Sequence, residues 1–355
     1  MTQMQIIPTF KSTLQFKEIN RAFLRLLTQH NGCHYNGEFK SLLSDYLGTK
    51  NISWVPSARW GLYFILKNLG IPAGSQVILS AFNYYAVPAA IIRAGMQPVF
   101  VDISENSLSI DTSKIEEAIT DKTKVLIITH LCGFVSGMDS VRAIAKKHGL
   151  IIIEDCAQAF GAAYGDTKAG SLGDHAFFTF GLTKNFTTFS NGAVVTQHSR
   201  FSEMIERDLS QVQQTSCSGT LIQLCRAYSI ALATTKVFFP FIYWLIRGFN
   251  KAGIDILDLL FRENEALMGG LPNSGLLNDI QAETGITQLS SLDEKTELCR
   301  QKGLKLYNAL KDVRGITVPK IEREAKNIFV SCPIIAKDRN KLRKYLLKQG
   351  VVTSY

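Results

Sequence analysis

No Cys-x-x-Cys pair, internal repeat, low-complexity tract or run of five or six basic residues occurs in this sequence. Its seven cysteines are odd in number and scattered, which argues against a zinc ribbon or a disulfide framework and for free thiols in a reducing cytoplasm. The start, MTQMQIIPTFKST, lacks a charged segment followed by an apolar one, so no secretory signal is expected. Charged residues are scarce at 19%, against 46% hydrophobic, a globular and not a disordered composition. The net charge of +9 has no basic run behind it. A phosphate-bearing small molecule or a membrane surface therefore suits the chain better than nucleic acid.

A chain of 355 residues suits a large domain plus a smaller one. Residues 1–50 are a mixed lead-in. From Ser57 to Thr196, short apolar runs rich in Val and Ile alternate with helical stretches. The strand candidates are Val77–Ser80, Pro98–Asp102, Lys124–His130, Leu150–Asp155, His175–Phe180 and Ala193–Thr196. Between them lie the helical candidates Gly61–Leu69, Tyr85–Ala94, Ser113–Ile119 and Met138–His148. Uninterrupted apolar strands are buried on both faces, so the pattern predicts an α/β fold with a mostly parallel sheet covered by helices. Ligands of such sheets sit at the carboxyl ends of the strands. A large domain is expected over 1–215, an apolar helical insertion over 216–275, and a small C-terminal α+β domain over 276–355. In the last, Asp279–Leu289 opens a helical region reaching Leu310, and Asn327–Pro333 then Arg339–Gln349 reads as strand then helix.

The chemistry gathers at two strand ends. Ile151–Asp155 is an apolar strand closing on a carboxylate, with Gln158 three residues later; Lys184 follows another apolar strand, 29 residues beyond Asp155. Alone, such an aspartate is most often a cap or turn residue, and such a lysine solvated surface. Together they suit pyridoxal phosphate (PLP). PLP needs an amine to carry it, a carboxylate to keep the pyridine nitrogen protonated, a donor for the phenolic oxygen, and helix-start amides for the phosphate.

The run Glu154-Asp155-Cys156-Ala157-Gln158-Ala159-Phe160-Gly161-Ala162, then Gly173-Asp174, Phe178-Thr179-Phe180 and Lys184-Asn185, resembles the signature of the DegT/DnrJ/StrS sugar aminotransferases. The resemblance runs from about Asn36 to Thr196 and resumes at Leu277–Leu310. It implies the aspartate-aminotransferase-like fold (PLP fold type I), PLP as cofactor, a homodimer, and transfer of an amino group, from glutamate or another amino acid, to a keto-sugar carried on a nucleotide. It makes Lys184 the Schiff-base lysine, Asp155 the partner of the pyridinium nitrogen and Gln158 the neighbour of the phenolic oxygen. Thr179, where the family usually has Ser, becomes a phosphate ligand. Ser57, Ala58 and Arg59 stand in the family's phosphate-gripping loop, and Tyr84 in the place of the aromatic that covers the ring. A related dehydratase branch has His in place of the lysine, so Lys184 favours transamination. No metal ligand set is expected.

Three departures bear on activity. The family's Gly-Glu/Asp-Gly-Gly turn reads Ser190-Asn191-Gly192, and asparagine tolerates the left-handed backbone such a turn needs. The Gly-x-Asn-x-Arg-like segment that family members lend to the partner subunit reads Leu271-Pro272-Asn273-Ser274-Gly275-Leu276, without the arginine. Family chains usually continue past the point where this one stops, Val351–Tyr355. A PLP-binding but catalytically impaired regulatory or scaffold homologue therefore stays open beside the sugar aminotransferase, and so, because fold does not dictate chemistry, does a PLP enzyme acting on amino acids only.

Residues 217–262 are apolar and aromatic. Ala227–Ile246 has the ~20 residues a spanning helix needs. Lys236 at its centre and Pro240 argue against a span, as does the division of one enzyme across a membrane. Helices packed on the protein's own core or in a dimer interface are one expectation. The other is a helical surface on the inner face of a membrane. There the aromatics Phe238, Phe239, Phe241, Tyr243 and Trp244 would work beside Arg226, Lys236, Arg247 and Lys251.

Overall fold

The structure is a computed structural model and describes residues 12–28, 35–104, 107–251 and 275–353. Helices α1 (Phe16–Thr28) and α2 (Tyr35–Leu47) lead into strand β1 (Asn51–Val55). There follow α3 (Ala58–Asn68), β2 (Gln76–Ser80), α4 (Ala86–Arg93), β3 (Gln97–Val101), α5 (Thr112–Ile115) and β4 (Thr123–Thr129). Next come α6 (Met138–His148), β5 (Ile151–Asp155), the short β6 (Ala163–Tyr164) and β7 (Thr167–Lys168), then β8 (His175–Thr179), β9 (Gly192–Thr196) and α7 (Ser199–Asp208). The predicted strands appear within a residue or so of their expected ends, and Met138–His148 matches its expected bounds.

Seven strands form one sheet in the order β1-β9-β8-β5-β4-β2-β3. Strands β2, β3, β4, β5 and β8 are parallel, and β9 is antiparallel to both β8 and β1. Alternate residues of β4 show why its sequence reads as one apolar run. Val125 and Ile127 join a core cluster with α3 and α4, while Leu126 and Ile128 join another with α2 and α6. Each side of the strand has its own helical layer to bury against.

Helices α8 (Cys217–Ala233) and α9 (Phe239–Lys251) come next. Helix α8 packs on α1 through Leu224, Ala227 and Ala231 against Ile19 and Ala22. Helices α10 (Asp279–Leu289) and α11 (Leu292–Leu310) follow, then the two-residue strands β10 (Ile316–Thr317), β11 (Ala325–Lys326) and β12 (Ile335–Ala336), and α12 (Arg339–Lys348). Leu277, Ala282 and Leu292 belong to the same core cluster as α2 and α6, so this segment begins against the large sheet. No described helix is long and apolar enough to cross a membrane.

Three expectations are corrected. Asn51–Val55, between the lead-in and the first expected element, is a full strand pairing with β9, missed because its Asn, Ser and Trp mask an edge strand. Asn327–Pro333 is not a strand. Asn327 turns its buried amide onto the Val135 N–H at 2.9 Å, and Phe329 has φ of 51°, a left-handed backbone that no extended strand contains. The expected helix Ser113–Ile119 is the short α5, continued as a 3₁₀ turn over Glu116–Ala118.

Candidate active site

Because β1, β2, β4, β5 and β8 share one direction, their carboxyl ends lie on one edge of the sheet, where β9 begins. Asp155 ends β5 opposite Phe177 of β8 and Thr129 of β4. Thr179 ends β8 and pairs with Gly192, which in turn pairs with Val55 of β1. Ser57, two residues past Val55, precedes α3 with an extended backbone. The register thus brings Thr179, Gly192 and the start of α3 together, although 122 positions separate Thr179 from Ser57 in sequence. A Cβ on Gly192 would lie 3.3 Å from the Ala58 nitrogen and 2.1 Å from the Phe178 carbonyl oxygen. Only glycine allows this approach.

Asp155 is buried. Burial pushes its carboxyl above the usual carboxylate range, against the Ala157 N–H, the Lys184 charge and the Thr129 hydroxyl. The Ala157 N–H donates to Oδ1 at 3.0 Å. Thr129 is itself held by the Asn83 amide at 2.9 Å. A carboxylate here gains from any cation delivered beside it.

Gln158 accepts the Cys132 N–H on Oε1 at 2.9 Å, which leaves its NH₂ group as a donor at the same edge. Cys132 has φ of 57° and Gly133, beside it, packs against the Ile328–Val330 backbone, so the loop after β4 is held in a tight form to meet Gln158. Lys184 stands in the loop between β8 and β9, half-buried. Its carbonyl accepts the Thr13 hydroxyl at 3.3 Å, and its neighbour Asn185 donates to the Phe160 carbonyl at 2.7 Å. That loop is thereby tied to the segment after Asp155. Tyr84 lies in the loop after β2, 48% exposed, with its ring 4.5 Å from that of Tyr85. Arg59 occupies the first turn of α3, partly buried.

The turn Ser190-Asn191-Gly192 uses left-handed backbone. Asn191 adopts φ of 72° and Phe189 φ of 71°. Asn191 is buried, and its amide donates to the Gly275 carbonyl at 2.7 Å. The Ser190 hydroxyl donates to Asn191 Oδ1 at 2.9 Å and accepts from Gln223 of α8 at 2.9 Å and Gln281 of α10 at 3.1 Å. Residues 271–274 of the segment expected to reach a partner subunit lie outside the described residues.

Sequence reasoning passed over several supporting residues. Glu154, adjacent to Asp155 and fully buried, accepts the Gly170, Leu172 and Gly173 N–H groups at 2.9, 2.7 and 2.8 Å, and His130 Nε2 at 3.0 Å. The Ser136 N–H points at His130 Nδ1 at 3.3 Å, which assigns the proton to Nε2. Glu154, His130 and Cys156 lie close enough to suggest a metal site, but Glu154 is saturated by these donors and acts as a structural clamp. Its signal was two consecutive carboxylates at the end of an apolar strand, since burying both requires dedicated donors.

Residues 16–223 match the model of the DegT/DnrJ/EryC1/StrS aminotransferase family. The chain belongs to that family. It is 29% identical over 294 residues to a pleiotropic regulatory protein of Geobacillus stearothermophilus, a match covering 82% of this chain and 66% of that one. Over 195 residues it is 37% identical to the dTDP-3-amino-3,6-dideoxy-alpha-D-galactopyranose transaminase of Aneurinibacillus thermoaerophilus, covering 54% of this chain and 53% of that one. The chain thus spans about two thirds of the first relative and about half of the second. Among solved structures, S. venezuelae DesV, in complex with a ketimine intermediate, superposes with a TM-score of 0.72 at 26% identity, over 94% of this chain and 78% of that one. The fold is PLP fold type I, and the family's cofactor is PLP.

The residues present fit that cofactor. The Ser57 Oγ is buried beside the first turn of α3 and has no hydrogen-bond partner among the described residues. A hydroxyl left this way is costly unless a ligand completes it. Next to it, Gly192 keeps the approach to α3 bare of side chain.

Proposed function

We propose that this chain is a PLP-dependent aminotransferase that passes an amino group, with glutamate as donor, to a keto-sugar carried on a nucleotide, for amino-sugar or surface-polysaccharide biosynthesis. The observation that carries it is the convergence of Lys184, Asp155 and Gln158 with Thr179 and the α3 start on one sheet edge. When bound, PLP supplies an electron sink for the carbon losing or gaining the amine. The chain's own groups do the rest. Lys184 Nζ anchors the cofactor and then moves the proton at the reacting substrate carbon. The Asp155 carboxylate holds a proton on the ring nitrogen, and the Gln158 NH₂ donates to the phenolic oxygen. Thr179, Ser57 and the N–H groups of Ala58 and Arg59 hold the phosphate, where the helix dipole favours negative charge. Tyr84 covers the ring. A cytoplasmic homodimer with sites near its interface completes the proposal.

The test is borohydride reduction followed by peptide mass spectrometry. The cofactor should be fixed on the Lys184 peptide, and Lys184→Ala should lose both that adduct and turnover. Full activity in the variant would refute the assignment. A second reading is a PLP-binding homologue with a regulatory role, favoured by the likeness to a pleiotropic regulatory protein. Purified protein that loses its yellow colour with glutamate supports the transaminase; colour that glutamate leaves unchanged supports the regulator.

A further inference from the structure

Helix α9 is apolar on two opposite faces, and only one of them is covered. Phe239, Tyr243 and Ile246 are buried. Phe239 and Tyr243 pack against Val352 and Leu347, and the Tyr243 hydroxyl donates to the Leu347 carbonyl. Their three- and four-residue spacing marks one side of the helix. The other side presents Phe241, Trp244, Leu245 and Phe249 to solvent, with Phe241 65% and Trp244 66% exposed, and Phe238, just before the helix, is exposed too. Side chains of this size seldom stand together in water on a soluble surface.

The charge carried by α9 and α12 has one sign. From Leu209 to Ile254 there is no Asp or Glu, while Arg226, Lys236, Arg247 and Lys251 fall in that stretch. Helix α12, which supplies Leu347 to the covered face of α9, reads RNKLRKYLLK and also lacks an acid. Its Lys341, Lys344 and Lys348 are exposed. An aromatic stripe and a basic helix are thus packed side by side, from segments about 100 residues apart. A second copy docked on this face by two-fold symmetry would bring the same cations together and repel. An anionic lipid surface satisfies both features: the rings enter the headgroup–acyl boundary and the lysines meet headgroup phosphates.

We propose that α9 and α12 together dock this protein on an anionic membrane surface, with α9 lying in the plane of the interface. The proposal does not depend on the reaction catalysed.

The test is flotation of the full-length holoprotein with vesicles of phosphatidylcholine, alone or mixed with phosphatidylglycerol. Expected is binding to the mixed vesicles that weakens with salt, and quenching of Trp fluorescence by brominated acyl chains. Of the three tryptophans, Trp244 is the one exposed to such quenching. Phe241→Ser/Trp244→Ser should abolish flotation. Lys341→Glu/Lys344→Glu/Lys348→Glu should weaken it by roughly 100-fold or more, since three cations near an anionic surface are lost and reversed. Cofactor absorbance and a melting curve confirm that each variant is folded. Failure of the folded wild type to float at low salt overturns the proposal. So does a shift of Phe241→Ser/Trp244→Ser to half the native mass in sedimentation without lipid, which would assign the stripe to a second copy.

Discussion

Replacing Gly192 by alanine adds one methyl group at the point where three backbones meet. The new Cβ would stand 2.1 Å from the Phe178 oxygen, about 1 Å inside ordinary contact, and 3.3 Å from the Ala58 nitrogen. Neither neighbour can rotate away, because one belongs to the paired strand β8 and the other to the first turn of α3. Strand β9 must therefore separate from β8, or α3 must withdraw. Overpacking commonly costs about 1–3 kcal/mol, and a backbone-on-backbone clash belongs at the upper end. For a chain of 355 residues about 3 kcal/mol lowers the melting temperature by roughly 4 °C. The displacement falls on the start of α3, so PLP affinity should fall with it. Gly37→Ala is the control. Gly37 is exposed in α2 with nothing within 4 Å of its added Cβ, so that variant should gain roughly 0.5 kcal/mol. The assay is a melting curve for both variants with and without PLP, and the visible absorbance of the bound cofactor. Wild-type melting and full cofactor content in Gly192→Ala would refute the three-backbone packing.

Asp155→Asn should retain some PLP and lose most turnover. In the cofactor-free protein it should also be the more stable form at neutral pH. With the folded pKa raised by burial, the native state holds its proton more tightly than the unfolded one, so stability falls as pH rises through that raised value. The advantage of the asparagine should shrink at acidic pH; equal pH–melting profiles would contradict this. His175, buried against Phe201, has its pKa lowered to about 4 by desolvation. The unfolded state therefore binds more protons between pH 6.5 and about 4, and stability is lost as pH falls through that window. His175→Gln should flatten that acid limb of the melting profile. Ser190→Ala removes the shared partner of Gln223, Gln281 and Asn191 and should destabilise by about 1–3 kcal/mol; an unchanged denaturant midpoint would show that the network reforms without it.

The sequence by itself determined the α/β class, most sheet strands and the strand-end positions of Asp155 and Lys184. Those strands are buried on both faces, so their apolar runs need no partner to be recognised. A carboxylate and a lysine placed just beyond such runs must lie at their carboxyl ends whatever the strand order. Strand order was decided by the tertiary structure. It alone places β1 and the start of α3 next to Gly192, because register between β1, β9 and β8 joins residues far apart in the chain. The left-handed Asn191 was legible as a tolerance, but the Gly275 carbonyl and Ser190 bridge that hold it come from other segments. The two faces of α9 show the same division. Composition marks the helix as rich in aromatic and apolar residues, and only packing against Leu347 and Val352 decides which face is core and which remains in water.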